Sequence, residues 1–248
     1  MPIALEQFEA DGVAIVPNVL HESECERIAA LIGPVRSASG GTRCLLTEVW
    51  CAGLARQLLR HSALSHLFAP GLAAVQCTYF EKSALRNWLV PLHQDLSIPV
   101  AERVDTLGPT GWATKQGSLF VHAPNSLLAS LVAVRVHLEP CMQQDGPLRV
   151  VPGSHRYGRL TPEAAARLRS ETGETTCAVG AGSALVMRPL VLHSSSKATG
   201  SSRRRVLHFL LGPRELTHGL RWQHVVYRSI KMSSGRLRLP TAAVHVKR

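Results

Sequence analysis

From residue 72 onward, glycine, proline and serine cut the chain into short apolar runs, and this punctuation limits the fold more than any other feature. The runs are "LAAVQCTYFEK", "WLVPLHQDLSIPV", "LLASLVAVRVHLEP", "GPLRVVPGSH", "TCAVGAGSALVMRPLVLH" and "RRRVLHFLLG". Their length and their β-branched and aromatic content suit strands, and turn residues bound them. Helical patterns come first. "LEQFEADGVAIVPNVLHESECERIAALIG" predicts a helix, a short strand and a second helix, and "AGLARQLLRHSALSHLF" spaces its apolar residues helically. A later helix is predicted at "TPEAAARLRSE", with Thr161 as its cap and Pro162 at its first position. Helices followed by many short strands predict a mostly β fold, a sandwich or barrel with helices packed outside. Residues 101–125 hold Gly, Pro and Thr with few apolar runs, which predicts a long loop or lid.

The chain of 248 residues is 45% apolar and 18% charged, enough for one sizeable core. A single domain is expected over 1–227, with a basic tail at 228–248. The formal charge of +11 is unevenly spread: residues 221–248 carry seven Lys/Arg and no acid, leaving 21 basic against 17 acidic residues upstream. The excess belongs to the tail, so no specific nucleic-acid partner is expected. The opening "MPIALEQFEADGVAIVP" lacks the basic and apolar regions of a leader, and no run of eighteen apolar residues occurs. A cytoplasmic location without membrane contact is therefore expected. Six scattered cysteines without a CxxC pair point the same way, to reduced structural thiols. No pattern speaks to oligomeric state.

Two polar residues interrupt the run "PLHQDLSIPV". Burying His93 and Asp95 is costly unless something compensates, and on a strand residues i and i+2 project to one face. His193, at the end of "SALVMRPLVLH", is the candidate third member. Two histidines and one carboxylate form the facial set expected of non-haem Fe(II) oxygenases. The HxD spacing alone is unspecific, and His155 in "PGSH" competes for the third place. His122, His137 and His208 read as core or pocket histidines, and Gln94 should face away from the metal. "HSSSKATGSSRRRVLHF" predicts a hairpin-like return that brings an arginine beside the histidine's strand. By alternation either Arg204 points inward or Arg203 and Arg205 do, and Arg203 reads as solvated. A buried guanidinium would need an anion, best a carboxylate.

"NWLVPLHQD", "VRVHLEP…DGPLRVVPGSH" and "MRPLVLHSSS…RRRVLHF" together resemble the phytanoyl-CoA dioxygenase family of Fe(II)/2-oxoglutarate oxygenases, over about residues 7–223. "GPTGWATKQG" resembles a bacterial subgroup, and "DGPL" stands where many members have Asn-Gly. The resemblance implies a double-stranded β-helix, the jelly-roll or cupin-like core, built from two four-stranded antiparallel sheets. It implies Fe(II) ligated by His93, Asp95 and His193, and 2-oxoglutarate held by Arg204, Ser195 and Thr78, with O2 as co-reactant. The implied reaction hydroxylates a C–H bond of a small molecule and releases succinate and CO2. A carboxylate at Asp95 favours hydroxylation over halogenation, because halogenating relatives carry a small residue there. Arg135 and His137 stand where relatives often carry Trp and Ala. They are open to binding 2-oxoglutarate, recognising an anionic substrate or forming a private hydrogen-bonded pair. With Gln76 they are the candidate substrate residues, and the substrate is expected to carry a carboxylate or phosphate if Arg135 faces the cavity without touching 2-oxoglutarate. The alternative is a catalytically silent or 2-oxoglutarate-independent metal-binding protein on the same fold.

Overall fold

A computed structural model of the chain describes residues 3–33, 41–83, 85–104, 110–200 and 202–228. The basic tail from 229 onward lies outside the described residues. The strands are β1 (Val13–Val16), β2 (Gly41–Thr42), β3 (Ala73–Lys82), β4 (Val90–His93), β5 (Ser97–Val100), β6 (Thr110–Lys115) and β7 (Ser118–His122). They continue as β8 (Val132–His137), β9 (Leu148–Val150), β10 (Thr175–Cys177), β11 (Ala184–Met187), β12 (His193–Ser195) and β13 (Arg204–Gly212). The helices are α1 (Ile3–Asp11), α2 (Glu22–Ile32), α3 (Val49–Arg60), α4 (Ser62–Ser65), α5 (Asn125–Ser130) and α6 (Pro162–Thr172).

One sheet has the order β1-β11-β8-β13-β3-β2, a second β10-β9-β12-β4, and a third β5-β7-β6. The strand pairs are antiparallel. The two four-stranded sheets of a double-stranded β-helix are present as β11-β8-β13-β3 and β10-β9-β12-β4. The first is widened at its edges: β1 pairs along β11, and the two-residue β2 along β3.

Alternation along the long strands sorts the core into two layers. Val132, Val134 and Val136 of β8 and Leu207, Phe209 and Leu211 of β13 belong to the cluster that includes Phe8, Leu54 and Leu58 of the helices. Ala133, Leu185, Met187 and Leu210 belong instead to a cluster with Ile98, Val121 and Val150, between the sheets. The strands facing this inner layer are buried on both sides, which explains runs such as "VAVRVH" that do not alternate in polarity. The inner face also carries polar residues, and register aligns them in rows. His208 lies between Thr78 and Arg135, Val206 between Phe80 and His137, and Arg204 beside Lys82.

Several elements depart from the sequence expectation. The 101–125 stretch contains a hairpin, β6 and β7, closed by Gln116 and Gly117 at φ 51 and 77. Both angles are positive, as a two-residue type I′ turn demands. The faces of β6 are largely exposed, so it lacks the apolar alternation that marks a half-buried strand. "WLVPLHQDLSIPV" is not one strand. It breaks after His93 and resumes as β5 in a different sheet. "LLAS" closes α5 rather than opening β8, and β11 ends at Met187, so His193 begins its own strand. β12 and β13 are not a hairpin either. They lie in opposite sheets, so His193 and Arg204 face one another across the interior.

Phe209 is fully buried and Ile15 is 37% exposed. Phe209→Ala should therefore destabilise the protein by about 3–5 kcal/mol in urea denaturation, and Ile15→Ala by about 1 kcal/mol or less.

Candidate active site

The break after β4 positions the first two ligand candidates. His93 ends the strand, and Asp95 follows in the gap, its N–H donating to Pro189 O at 2.9 Å. Gln94 between them turns the other way. Its amide donates to Gly158 O and Leu190 O, both at 2.7 Å, and accepts from Leu160 N–H at 2.9 Å. This clamp ties the HxD segment to the loop before α6. β12 then pairs with β4 so that His193 lies directly opposite His93.

The result is a triad: one ligand atom each from His93, Asp95 and His193 lies within 4.8 Å of the others. Both Nε2 atoms stand 3.8 Å from the Asp95 carboxylate, and the rings are 4.1 Å apart between centroids. Each Nδ1 meets a backbone carbonyl, His93 with Pro91 O at 2.8 Å and His193 with Val191 O at 3.0 Å. A carbonyl can only accept, so each Nδ1 carries a proton and each ring turns its Nε2 toward the centre. Burial pushes His193 down to about 4, outweighing the nearby Asp95 carboxylate. Burial works against ionised Asp95, yet His193, His208, His93 and Arg135 together hold its carboxyl below the ordinary value. Its side chain keeps 39% exposure, on the wall of the cavity. Two neutral imidazoles and a carboxylate are the donor set of a divalent cation site.

The triad opens onto a cavity of about 400 Å³ whose wall includes Arg204, Ser195, Thr78, Gln76 and Arg135. His137 shares the inner face of β8 but is not part of that wall. It is 4% exposed with neither ring nitrogen partnered among the described residues, and burial holds it well below its ordinary value. Arg204 points inward, its Nη1 hydrogen-bonded to Gly146 O and 3.9 Å from the Cys141 sulfur, while its Nε has no hydrogen-bond partner among the described residues. Gly146 belongs to the "DGPL" turn, where a Cβ would come within 2.5 Å of Ser196 O and φ is +62. Its neighbour Asp145 closes the turn by accepting from Met142 N–H at 2.7 Å. Arg203 and Arg205 turn outward. Arg203 is not simply solvated: it pairs with Glu81 at 3.0 Å, and Arg205 pairs with Glu139.

Arg135 is buried and donates through Nη1 to His208 Nδ1 at 2.7 Å. A guanidinium has no acceptor, so His208 is neutral with its proton on Nε2. Burial and then Arg135 push His208 down to about 3, and burial and then Arg204 bring Arg135 to about 10. Thr78 accepts from the Gln76 amide at 2.9 Å. His155 packs its ring against the Gly12 backbone and does not line the cavity. His122 does line it.

Sequence reasoning missed Lys82. It is 1% exposed, donates to Ser195 Oγ at 2.8 Å and to Ser196 O at 2.6 Å, and sits 5.5 Å from the Trp88 ring. The period-two pattern from Gln76 through Thr78 and Phe80 already put it on the inner face. Burial and then Arg204 bring its ammonium down to about 8. An unfolded lysine keeps its proton to about 10.5, so between pH 8 and 10.5 the unfolded state binds more protons and Lys82 adds stability as pH rises. Urea midpoints of wild type minus Lys82→Met should therefore increase across this window; a flat difference would place an uncharged or freely solvated amine there.

Three comparisons with known proteins bear on these features. The model of the phytanoyl-CoA dioxygenase (PhyH) family matches residues 8–206. No individual curated protein matches the chain in sequence. Among solved structures, the chain is similar to the non-heme alpha ketoglutarate dependent epimerase SnoN from nogalamycin biosynthesis, at 16% identity and a TM-score of 0.62, covering 85% of this chain and 82% of that one. HygX from Streptomyces hygroscopicus, with nickel and 2-oxoglutarate bound, is 17% identical with a TM-score of 0.61 over 92% of this chain and 97% of its own. EctD from S. alaskensis in its apoform is 15% identical with a TM-score of 0.64 over 86% and 77%. At such identities these structures establish the shared jelly-roll fold, while the family model spans most of the sequence: the chain belongs to the phytanoyl-CoA dioxygenase (PhyH) family.

Proposed function

We propose that this chain is an Fe(II)- and 2-oxoglutarate-dependent oxygenase that hydroxylates an unactivated C–H bond of a small molecule, releasing succinate and CO2. One observation carries the reading. Two imidazole lone pairs and a carboxylate converge within 4.8 Å, and across the same cavity stands a buried guanidinium with an unpartnered nitrogen. His93, Asp95 and His193 would hold the metal, and their chemistry fits Fe(II) with positions left open. When bound, that ion supplies the activation of O2 that couples decarboxylation of 2-oxoglutarate to substrate oxidation.

The rest falls to the chain's own side chains. Arg204 and Lys82, neighbours in register on β13 and β3, receive the far carboxylate of 2-oxoglutarate, with Ser195 as hydroxyl partner. Thr78 and Gln76 form a polar wall beside them. Arg135, pinned by His208, holds a positive charge near Asp95 and keeps its unpartnered Nε for a bound anion. Phe80, Leu148 and Leu210 line the cavity and exclude water from the reacting groups. The six cysteines are unbridged, which fits a reducing cytoplasm. No described helix is long and apolar enough to cross a membrane.

Asp95 keeps the carboxylate, which favours hydroxylation over halogenation. SnoN, described as an epimerase, marks a different outcome for a protein of this fold; product mass separates the two, since hydroxylation adds one oxygen atom and epimerisation none.

With Fe(II), 2-oxoglutarate, ascorbate and O2, the protein should release succinate. Asp95→Ala should reduce that release by about a hundredfold or more, beyond the cost of losing an outer-shell partner. Arg204→Ala should raise the KM for 2-oxoglutarate by about tenfold to a hundredfold, the worth of a hydrogen-bonded charge. A folded Arg204→Ala protein with normal 2-oxoglutarate kinetics would remove the assignment of that arginine. Wild type without succinate release would leave the catalytically silent alternative.

A further inference from the structure

The cavity has more positive charge than its cosubstrate would use. Asp95 is the sole acid on its wall among the described residues, against Arg43, Lys115, Arg135 and Arg204. Arg204 and Arg135 sit deep, 4% and 7% exposed. Arg43 and Lys115 are half-buried and mark the rim.

These two cations come from segments that are locked together. The Gln116 side chain accepts from Arg43 N–H and donates to Gly41 O, both at 2.7 Å, so the β6–β7 turn grips the chain leaving β2. Next to it, the buried Ser118 hydroxyl meets the Cys44 thiol at 2.7 Å and accepts from the Gln223 amide at 2.9 Å. Lys115 reaches Ser97 Oγ at 3.5 Å and lies 5.1 Å from the Phe120 ring. Burial and then Arg43 lower its affinity for a proton. The Arg43 guanidinium has no hydrogen bond or ion pair among the described residues. This frame holds two like charges together on a cavity wall where Asp95, which also acts on Lys115, is the sole acid among the described residues, an arrangement suited to an anion.

We propose that Arg43 and Lys115 form a site at the rim of the cavity for an anionic group, a carboxylate or a phosphate, carried by the substrate. The site stands on its own geometry; that its ligand is the substrate rests on the oxygenase reading. The deep arginines serve the cosubstrate end, and the rim pair selects molecules that present an acid about one cavity's length from the carbon to be oxidised.

Calorimetric titration tests the site with two probes, inorganic phosphate and acetate, on protein saturated with 2-oxoglutarate. At least one should bind, and the preferred one identifies the head group. The double variant Arg43→Gln/Lys115→Gln should bind it about tenfold or more weakly, and Arg43→Lys/Lys115→Arg, which keeps both charges, should restore binding. Thermal melting checks that both variants fold. No binding of either probe to wild type, or equal binding to the neutral variant, overturns the site. Phosphate or acetate binding through this pair in a protein that releases no succinate would keep the site and sink the oxygenase reading. Succinate release without pair-dependent binding would do the reverse.

Discussion

Two backbone carbonyls decide what the interior can do. Pro91 O and Val191 O each accept a hydrogen bond from Nδ1–H of the histidine two residues on, so both rings are held with Nε2 aimed at Asp95. Without those bonds either ring could rotate or change tautomer, and the three donors would no longer converge. The strand pairing supports the same end, because His193 lies opposite His93 on neighbouring strands. Gln94 completes the arrangement from behind by tying the HxD segment to Gly158, Leu160 and Leu190.

The opposite sheet answers with positive charge. Arg135, Arg204 and Lys82 all lie on its inner face and are almost fully buried. Burying three cations on one face is expensive where the cavity wall carries a single carboxylate, Asp95, among the described residues. Hydrogen bonds to Gly146 O, Ser195 and His208 offset part of the cost, and the lowered proton affinity of Lys82 and Arg135 is its signature. Under the proposed function, a bound dianion would recover the remainder by restoring neutrality. Fold and function therefore pull against each other on this face, as they commonly do at sites held ready for a ligand.

Much of this was legible in the residues. The mostly β fold followed from short apolar runs and their turn residues, and the family resemblance followed from HxD, "DGPLRVVPGSH" and the spacing of His193 and Arg204. Alternation allowed either Arg204 or its two neighbours to face inward, and the family resemblance pointed to Arg204. Other features were hidden for physical reasons. The β6–β7 hairpin has an exposed first strand and a Gln-Gly turn, so neither apolar alternation nor an Asn-Gly signal marks it. Lys115 and Arg43 were missed with it. The crossing of β12 and β13 into opposite sheets is a tertiary choice that a polar connecting segment does not encode. Lys82 was legible by period, but lysine is seldom fully buried, so the residue type itself gives no signal of it.

Convergence of His93, Asp95 and His193 on one cation is the claim beneath all of this, and anaerobic equilibrium dialysis with Fe(II) reads it without any substrate. Wild type should take up one ion per chain. Asp95→Ala and His193→Ala should each lose most of that uptake, while His155→Ala, altered at the rejected candidate, should keep it. Wild type that takes up no iron, or Asp95→Ala and His193→Ala proteins that bind as wild type does, would contradict it.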